Sequence, residues 1–328
     1  MNQPTLVAEI SANHNGTLDR ALRLIDAAKR AGADAVKIQT YRPEGITIDH
    51  DGPGFTVGAG QWKGRKLYDL YTEAMTPWEW HPKLFDHARA VGIELFSSPF
   101  DHAAVNLLAS LDCPRYKIAS FELVDVELIA HAAKRGKPMV MSTGMARDSE
   151  IADALAAASG ARHVTLLHCI SAYPAKPGEA NLRRIPALRQ RFNVPIGLSD
   201  HTLGSTTAIA ATALGAAMIE KHLTLARDDG GPDAAFSLEP SEFRDMVAAV
   251  HDAAAAMRPI KPPEPYRDLR RSLYAVRDIA AGETLTEVNV RPIRPGHGLA
   301  PKHRAALLGK RAKAAIPRGT PMAFELVN

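Results

Sequence analysis

Two histidines and two lysines of this chain stand in or beside short apolar runs. His201 follows Pro195–Ser199 within Ser199-Asp200-His201-Thr202, and His222 closes Met218–His222 in Glu220-Lys221-His222. Two imidazoles within reach of one point can hold a divalent ion and leave its other positions to water or substrate, as a Lewis acid requires. Lone histidines are more often structural, so spacing alone leaves both readings open. His50, His87, His131, His163 and His251 read as structural or surface residues, and His14 and His168 are candidates that spacing does not separate from the pair. Lys37 lies in Ala35–Thr40 and Lys117 in Tyr116–Ser120. A lysine partly buried among apolar residues needs an anion, here either a substrate or a structural partner such as Glu9 or Glu122. Ser97, Ser98, Ser120 and Ser142 add neutral hydrogen bonds suited to phosphate oxygens. Together these residues describe a site for an anionic substrate handled with metal assistance.

Groups so distant in sequence must be gathered by a repeating scaffold. The predicted strands are Leu6–Ser11, Ala35–Thr40, Ile93–Ser97, Tyr116–Ser120, Pro138–Ser142, Val164–Cys169, Pro195–Ser199 and Met218–His222. Amphipathic segments such as Leu18–Ala31 and Trp78–Val91 alternate with them; Leu18, Ala21, Leu22, Ile25 and Ala28 recur at the spacing of one helical face. Gly32, Gly92 and Gly136 each follow a helical pattern, where a left-handed turn ends a helix cheaply. Eight strand–helix repeats predict an α/β fold, a (β/α)8 TIM barrel, with its site at the C-terminal strand ends. An open doubly wound sheet competes, but no glycine-rich dinucleotide turn follows the first strand. Adjacent barrel strands run about 4.8 Å apart, close enough for His201 and His222 to share an ion. Period-two alternation places Glu9 with Ser11, Lys37 with Gln39, and Glu220 with His222 on shared faces.

The predicted domains are a barrel over 1–258, a proline-rich linker over 259–270 carrying Pro259, Pro262, Pro263 and Pro265, and a small domain over 271–328 of short strands and turns. That tail is small for independent stability and is expected to dock on a barrel. The glycine-containing insertion Pro43–Thr76 after the second strand has the length of a lid or binding loop.

Composition narrows the class. Of 328 residues, 46% are apolar and 23% charged, enough for a sizeable core, and the formal charge of +4 is a weak field. No nucleic-acid or membrane partner is expected. Two cysteines, Cys113 and Cys169, exclude a disulfide framework. The opening Met1–Ala8 has no basic start followed by a long apolar stretch, so a cytoplasmic protein is expected.

The string Ala8-Glu9-Ile10-Ser11-Ala12-Asn13-His14-Asn15-Gly16 resembles the opening motif of the sialic acid synthase family, which condenses phosphoenolpyruvate with an acetamido sugar. Gly32–Thr40, Tyr116–Ser120, Ser142–Met145, Gly197–Thr202 and Ile219–His222 match further family blocks in order. The tail resembles the family's antifreeze-like (SAF, β-clip) domain through Arg271–Leu273, Ile279–Glu283 and Arg294–Gly298. Trp62–Tyr71, Thr76–His81 and Ser97–Phe100 are similar to the pseudaminic acid branch, whereas Gly231-Pro232-Asp233 is closer to the sialic and legionaminic branches. The resemblance implies that His201 and His222 bind a divalent ion, manganese or magnesium. It further implies that Lys37, Ser98, Lys117, Ser120, Ser142 and Ser199 hold phosphoenolpyruvate. Glu9 matches the family's essential carboxylate near the reacting carbons, and Glu122 a second acid near the enolpyruvate. Tyr173 and Asp233 match sugar-side positions. Arg294 matches the tail arginine presented to the sugar across a domain-swapped homodimer. A Schiff-base aldolase using Lys117 or Lys37 and a non-enzymatic sugar-binding protein are the alternatives from other classes.

Overall fold

The computed structural model describes residues 3–259 and 264–328. The chain divides into two compact units, Met1–Arg258 and Pro259–Asn328. Of the predicted linker, 260–263, and with them Pro262 and Pro263, lie outside the described residues. Glu264–Leu269 forms a 3-10 turn.

In the first unit eight parallel strands close into a barrel: β1 (Thr5–Glu9), β2 (Ala35–Thr40), β3 (Glu94–Pro99), β4 (Tyr116–Ile118), β5 (Met139–Ser142), β6 (Val164–Cys169), β7 (Ile196–Asp200) and β8 (Met218–His222). The ring closes because β1 pairs with both β2 and β8, setting Glu9 opposite Lys37 on one side and His222 on the other. The TIM barrel expected from the alternating pattern is therefore the observed fold. Its strands are buried on both faces, which is why they read as apolar runs rather than as alternating ones.

Helices α1 (Leu18–Arg30), α2 (Leu67–Ala74), α3 (His81–Val91), α4 (His102–Ser110), α5 (Val126–Ala133), α6 (Asp148–Ala157), α7 (Arg184–Phe192), α8 (Thr206–Ala213) and α9 (Pro240–Ala256) connect or follow the strands. The buried face of α1 is Ala21, Leu24, Ile25, Ala27 and Ala28, the three- and four-residue spacing of a helix laid on a sheet. Asp101 and Asp125 cap α4 and α5 by accepting the N–H groups of Ala104 and Leu128. Gly92 ends α3 at φ +71°, where a side chain would be strained.

One local expectation is corrected. Strand β1 stops at Glu9 because the chain turns immediately beyond it, with Ala12 at φ +60°; Ser11 therefore shares no strand face with Glu9, and its backbone N–H instead donates to Glu9 Oε1 at 2.8 Å. The insertion Pro43–Thr76 is folded: a 3-10 turn at Pro43–Gly45, an antiparallel bridge between Thr56 and Lys66, and then α2.

The second unit pairs β9 (Ser272–Ala275) antiparallel with β10 (Val290–Ile293). It encloses a core of its own, including Leu273, Ile279, Leu285, Val290, Leu307, Ile316 and Met322.

Candidate active site

At the C-terminal ends of the barrel strands the interior is polar and charged. Glu9, Lys37, Lys117 and Glu220 meet there, each nearly inaccessible to solvent. Lys37 Nζ forms an ion pair with Glu9 Oε2 and lies 3.5 Å from Glu220 Oε1. Glu220 Oε1 also faces Lys117 Nζ at 3.2 Å and accepts the Ser199 hydroxyl at 3.1 Å. Burial favours the neutral forms of Glu220, Lys37 and Lys117, and pairing opposes it with different results. Burial opposes ionisation of Glu220, yet Lys117 and Lys37 outweigh it and hold its carboxyl down at about 2. Burial also opposes the charge of Lys37, but Glu220 and Glu9 hold it above its usual range. Lys117 ends below its usual range because burial, with Lys37 alongside, exceeds the pull of Glu220.

Hydroxyls surround this quartet. Ser98 Oγ lies 3.4 Å from Lys37 Nζ. Ser120 Oγ accepts the Gly144 N–H at 3.2 Å and sits 3.3 Å from Cys169 Sγ. A β-carbon on Gly144 would fall 2.3 Å from Ser171 Oγ and 2.8 Å from Ser120 Oγ, so only glycine lets these strand ends converge. Ser142 is buried, and its hydroxyl has no partner among the described residues. Such a cradle of N–H, hydroxyl and lysine groups suits a phosphate or carboxylate. Glu122 stands in the turn after β4, where burial pushes its carboxyl up to about 7 and Lys117 only partly opposes the shift.

His201 and His222 lie side by side, ring centroids 5.6 Å apart. Nδ1 of His201 donates to the Ile170 carbonyl at 2.9 Å, which leaves the Nε2 lone pair free to bind a cation. Burial, with His201 and Lys37 nearby, keeps the His222 imidazole neutral, well below its usual range. Its Nδ1 has no hydrogen-bond partner among the described residues and lies 3.6 Å from Asp233 Oδ2. Burial, and then Glu9, raises the Asp233 carboxyl well above its usual range. No group of three or more histidine, cysteine, aspartate or glutamate side chains suited to a metal occurs among the described residues. Two adjacent imidazoles do fit a divalent ion whose remaining positions are filled by oxygens of water or substrate.

Aromatic rings wall the histidine side. Tyr173 lies 4.3 Å from His201, and Phe236 lies 4.8 Å from His222, centroid to centroid. Trp62, from the insertion, reaches Tyr173 at 5.4 Å and Phe236 at 6.3 Å. Its indole N–H donates to the Pro232 carbonyl at 3.0 Å, so the insertion is fastened to the loop after β8. Asn13 fastens that loop from the other side, donating to Leu223 O and Ser237 Oγ, each at 2.9 Å.

The barrel thus gathers Glu9, Lys37, Ser98, Lys117, Ser142, Ser199, His201 and His222, with Ser120, Glu122, Tyr173 and Asp233 at its edge. Arg294 lies in the second unit, exposed at the end of β10. Three readings of the residues change. Ser97 faces away from the interior: its hydroxyl meets Thr40 Oγ1 at 2.6 Å and the Ile38 carbonyl at 3.0 Å, so it is no phosphate ligand. Lys117 pairs with Glu220 rather than Glu122. His168 turns outward to the Ala180 carbonyl at 2.7 Å, and His14 sits in the turn after β1 against Trp80, so neither joins the histidine pair. Glu220 is the residue that spacing undervalued, although its alternation with His222 already set both on the inner face.

The closed (β/α)8 barrel with this ring of charges, followed by a small β unit, is that of a carbon–carbon bond-forming synthase of the NeuB family, to which the chain belongs through a match over residues 24–261. Residues 270–327 match the SAF domain. The chain is 43% identical to the pseudaminic acid synthase of Helicobacter pylori, over 99% of this chain and 98% of that protein. It is 32% identical to the N,N'-diacetyllegionaminic acid synthase of Legionella pneumophila, over 98% of this chain and 94% of that one. Among solved structures, the N-acetylneuraminic acid synthetase of Leptospira borgpetersenii superposes with a TM-score of 0.73 at 30% identity, covering 81% of this chain and 90% of the other.

Proposed function

We propose that this chain condenses phosphoenolpyruvate with the open-chain form of 2,4-diacetamido-2,4,6-trideoxy-altrose to give pseudaminic acid and phosphate. The observation that carries this choice of sugar is the near-complete match to a pseudaminic acid synthase at 43% identity, against 32% for a legionaminic relative. The aromatic wall of Trp62, Tyr173 and Phe236 supports a 6-deoxy sugar over N-acetylmannosamine, since it offers apolar surface to a methyl group where the latter presents a hydroxyl.

Lys37 and Lys117, with Ser98, Ser120, Ser142 and Ser199, hold the phosphate and carboxylate of phosphoenolpyruvate, so orientation supplies much of the rate. A divalent ion, manganese or magnesium, held by His201 and His222, would supply Lewis-acid polarisation of the sugar aldehyde when bound. The methylene carbon of phosphoenolpyruvate attacks that aldehyde carbon, leaving positive charge on the enol-ether carbon. Water adds there, one of its protons goes to the alkoxide left on the former aldehyde oxygen, and the tetrahedral adduct expels phosphate by carbon–oxygen cleavage as its new hydroxyl gives up its proton and becomes the ketone. Glu9, buried beside Lys37, is the carboxylate assigned to orient that water and offset the charge. Glu122, with a carboxyl near 7, can exchange a proton at neutral pH. Tyr173 and Asp233 contact the sugar.

Arg294 completes the sugar site from the second subunit of a domain-swapped homodimer. Support comes from Phe121, Met145 and Leu203, on the loops after β4, β5 and β7, which remain 60%, 65% and 55% exposed around the barrel mouth. No helix among the described residues is long and apolar enough to cross a membrane. The free, buried Cys113 and Cys169 suit a cytoplasmic location.

The test is product mass and configuration from phosphoenolpyruvate with each of three sugars: the altrose derivative, its legionaminate counterpart and N-acetylmannosamine. Faster turnover of either rival would overturn the sugar assignment and favour a legionaminate or N-acetylneuraminate synthase. Activity that survives thorough chelation, together with borohydride trapping on Lys117, would instead favour a Schiff-base aldolase.

A further inference from the structure

On the outer face of the barrel, beneath α8, lies a second charged cluster that the proposed chemistry does not use. Asp200 and Lys221 are register partners on β7 and β8. Both are buried, Lys221 completely, and Lys221 Nζ lies 2.8 Å from Asp200 Oδ2. The same ammonium donates to the Thr202 carbonyl. Asp200 Oδ1 accepts the Thr202 N–H at 3.0 Å and the Thr202 hydroxyl at 2.8 Å, while Oδ2 accepts the Thr207 hydroxyl at 2.6 Å. His201 stands between Asp200 and Thr202, and His222 directly follows Lys221. The residues on both sides of one imidazole are therefore tied to the residue preceding the other, Asp200 through its carboxylate and Thr202 through its carbonyl.

Stability alone does not call for an ion pair here. An aliphatic pair of similar volume usually serves a protein interior as well, because taking two charges out of water offsets their attraction. What the ion pair adds is direction: it links two strands at one short distance, at the level where both histidines leave them. The remaining sides of the histidines are held as well, the His201 ring by the Ile170 carbonyl and the His222 carbonyl by the Leu238 N–H at 2.9 Å.

We propose that the Lys221–Asp200 pair is a positioning element that sets the spacing of His201 and His222 for a divalent cation. The proposal rests on the metal reading given above. It predicts that cation affinity stays impaired even in a variant whose stability has been restored, an effect of the size seen when groups behind metal ligands are replaced.

The experiment titrates the full-length protein with manganese chloride alone, without substrates, following free Mn2+ by electron paramagnetic resonance. Lys221→Met, Asp200→Asn and the double variant are compared with the parent, His201→Ala and His222→Ala, with circular dichroism and thermal melts in parallel. Lys221→Met leaves a buried carboxylate uncompensated and should melt earliest, whereas the double variant removes both charges and should recover much of the melting temperature. Its manganese affinity should nevertheless stay about 10–100-fold below that of the parent. Recovery of affinity together with stability would show a purely structural role and overturn the proposal. So would a folded variant that binds manganese like the parent, or a set in which none folds. If the parent shows no binding that depends on His201 and His222, the metal reading itself fails, and that result is distinct from parental binding left unchanged in the Lys221 and Asp200 variants.

Discussion

Glu220 Oε1 faces Lys117 Nζ at 3.2 Å across the barrel interior, and the same oxygen is shared with Lys37. One carboxylate thus compensates two buried ammonium groups. Glu220→Gln should cost about 3–5 kcal/mol, the usual consequence of breaking a buried pair from one side. Urea unfolding measures the loss. Adding Lys117→Met to Glu220→Gln should return part of it, and a double variant less stable than the single would contradict the pairing.

His201→Ala and His222→Ala should each abolish manganese binding and synthase activity while leaving the far-ultraviolet spectrum unchanged, because either loss leaves a single imidazole. Calorimetric titration with manganese chloride checks the first expectation. Activity at the parental level in a variant free of bound metal would remove the site from contention.

The Glu122 carboxyl, pushed up to about 7 by burial, links stability to pH. Between pH 4.5 and 7 the unfolded chain ionises this residue while the folded chain keeps its proton. Stability therefore falls over that window, and the penalty is complete only above pH 7, at roughly 3 kcal/mol or less. Glu122→Gln should be more stable than the parent at pH 8 and indistinguishable from it near pH 4. Melting curves across that range give the answer; a constant difference would show that the group titrates normally.

Trp62→Ala should erode the preference for the 6-deoxy sugar. The indole N–H is already engaged by Pro232, so the ring has no donor left for a substrate hydroxyl and offers only apolar surface. The ratio of kcat/KM for the diacetamido sugar to that for N-acetylmannosamine should fall about tenfold or more, the scale of one methyl group in an apolar pocket. An unchanged ratio would place the selecting contact elsewhere.

Mixing an Arg294→Ala chain with a His222→Ala chain should restore part of the activity that each lacks alone, because a shared site leaves one intact centre per mixed dimer. Subunit exchange, verified by mass spectrometry, without any recovery would mean that each tail serves its own barrel.

The barrel was legible because its evidence is periodic. Ala35–Thr40, Val164–Cys169 and Met218–His222 begin and end as strands where their apolar runs do. The site was legible where polar residues interrupt such runs, as at Lys37, Lys117 and His222. What escaped depended on direction or partnership. Ser97 and Ser98 are neighbours of one type, yet a pleated strand sends one toward the helices and the other toward the interior. Glu220 looked like a companion of His222, since nothing local marks its pairing with Lys117 across the barrel. Trp62 was marked by resemblance alone, within Trp62–Tyr71, and its place against Tyr173 depends on the Pro232 carbonyl, which composition does not announce.

The closed ring also bears on how this chain is made. Glu220 belongs to the last barrel strand to leave the ribosome, and the lysine it compensates most closely was synthesised 103 residues earlier. Until the final strand docks against the first, Lys37 and Lys117 face an interior without that counter-charge, so a half-made barrel has reason to stay open and hydrated. Long-range contacts of this kind slow folding, because the entropy of closing the chain is spent before the contact forms. The charges that the finished enzyme would present to its substrate therefore act during synthesis as a lock that engages only when the whole barrel is present.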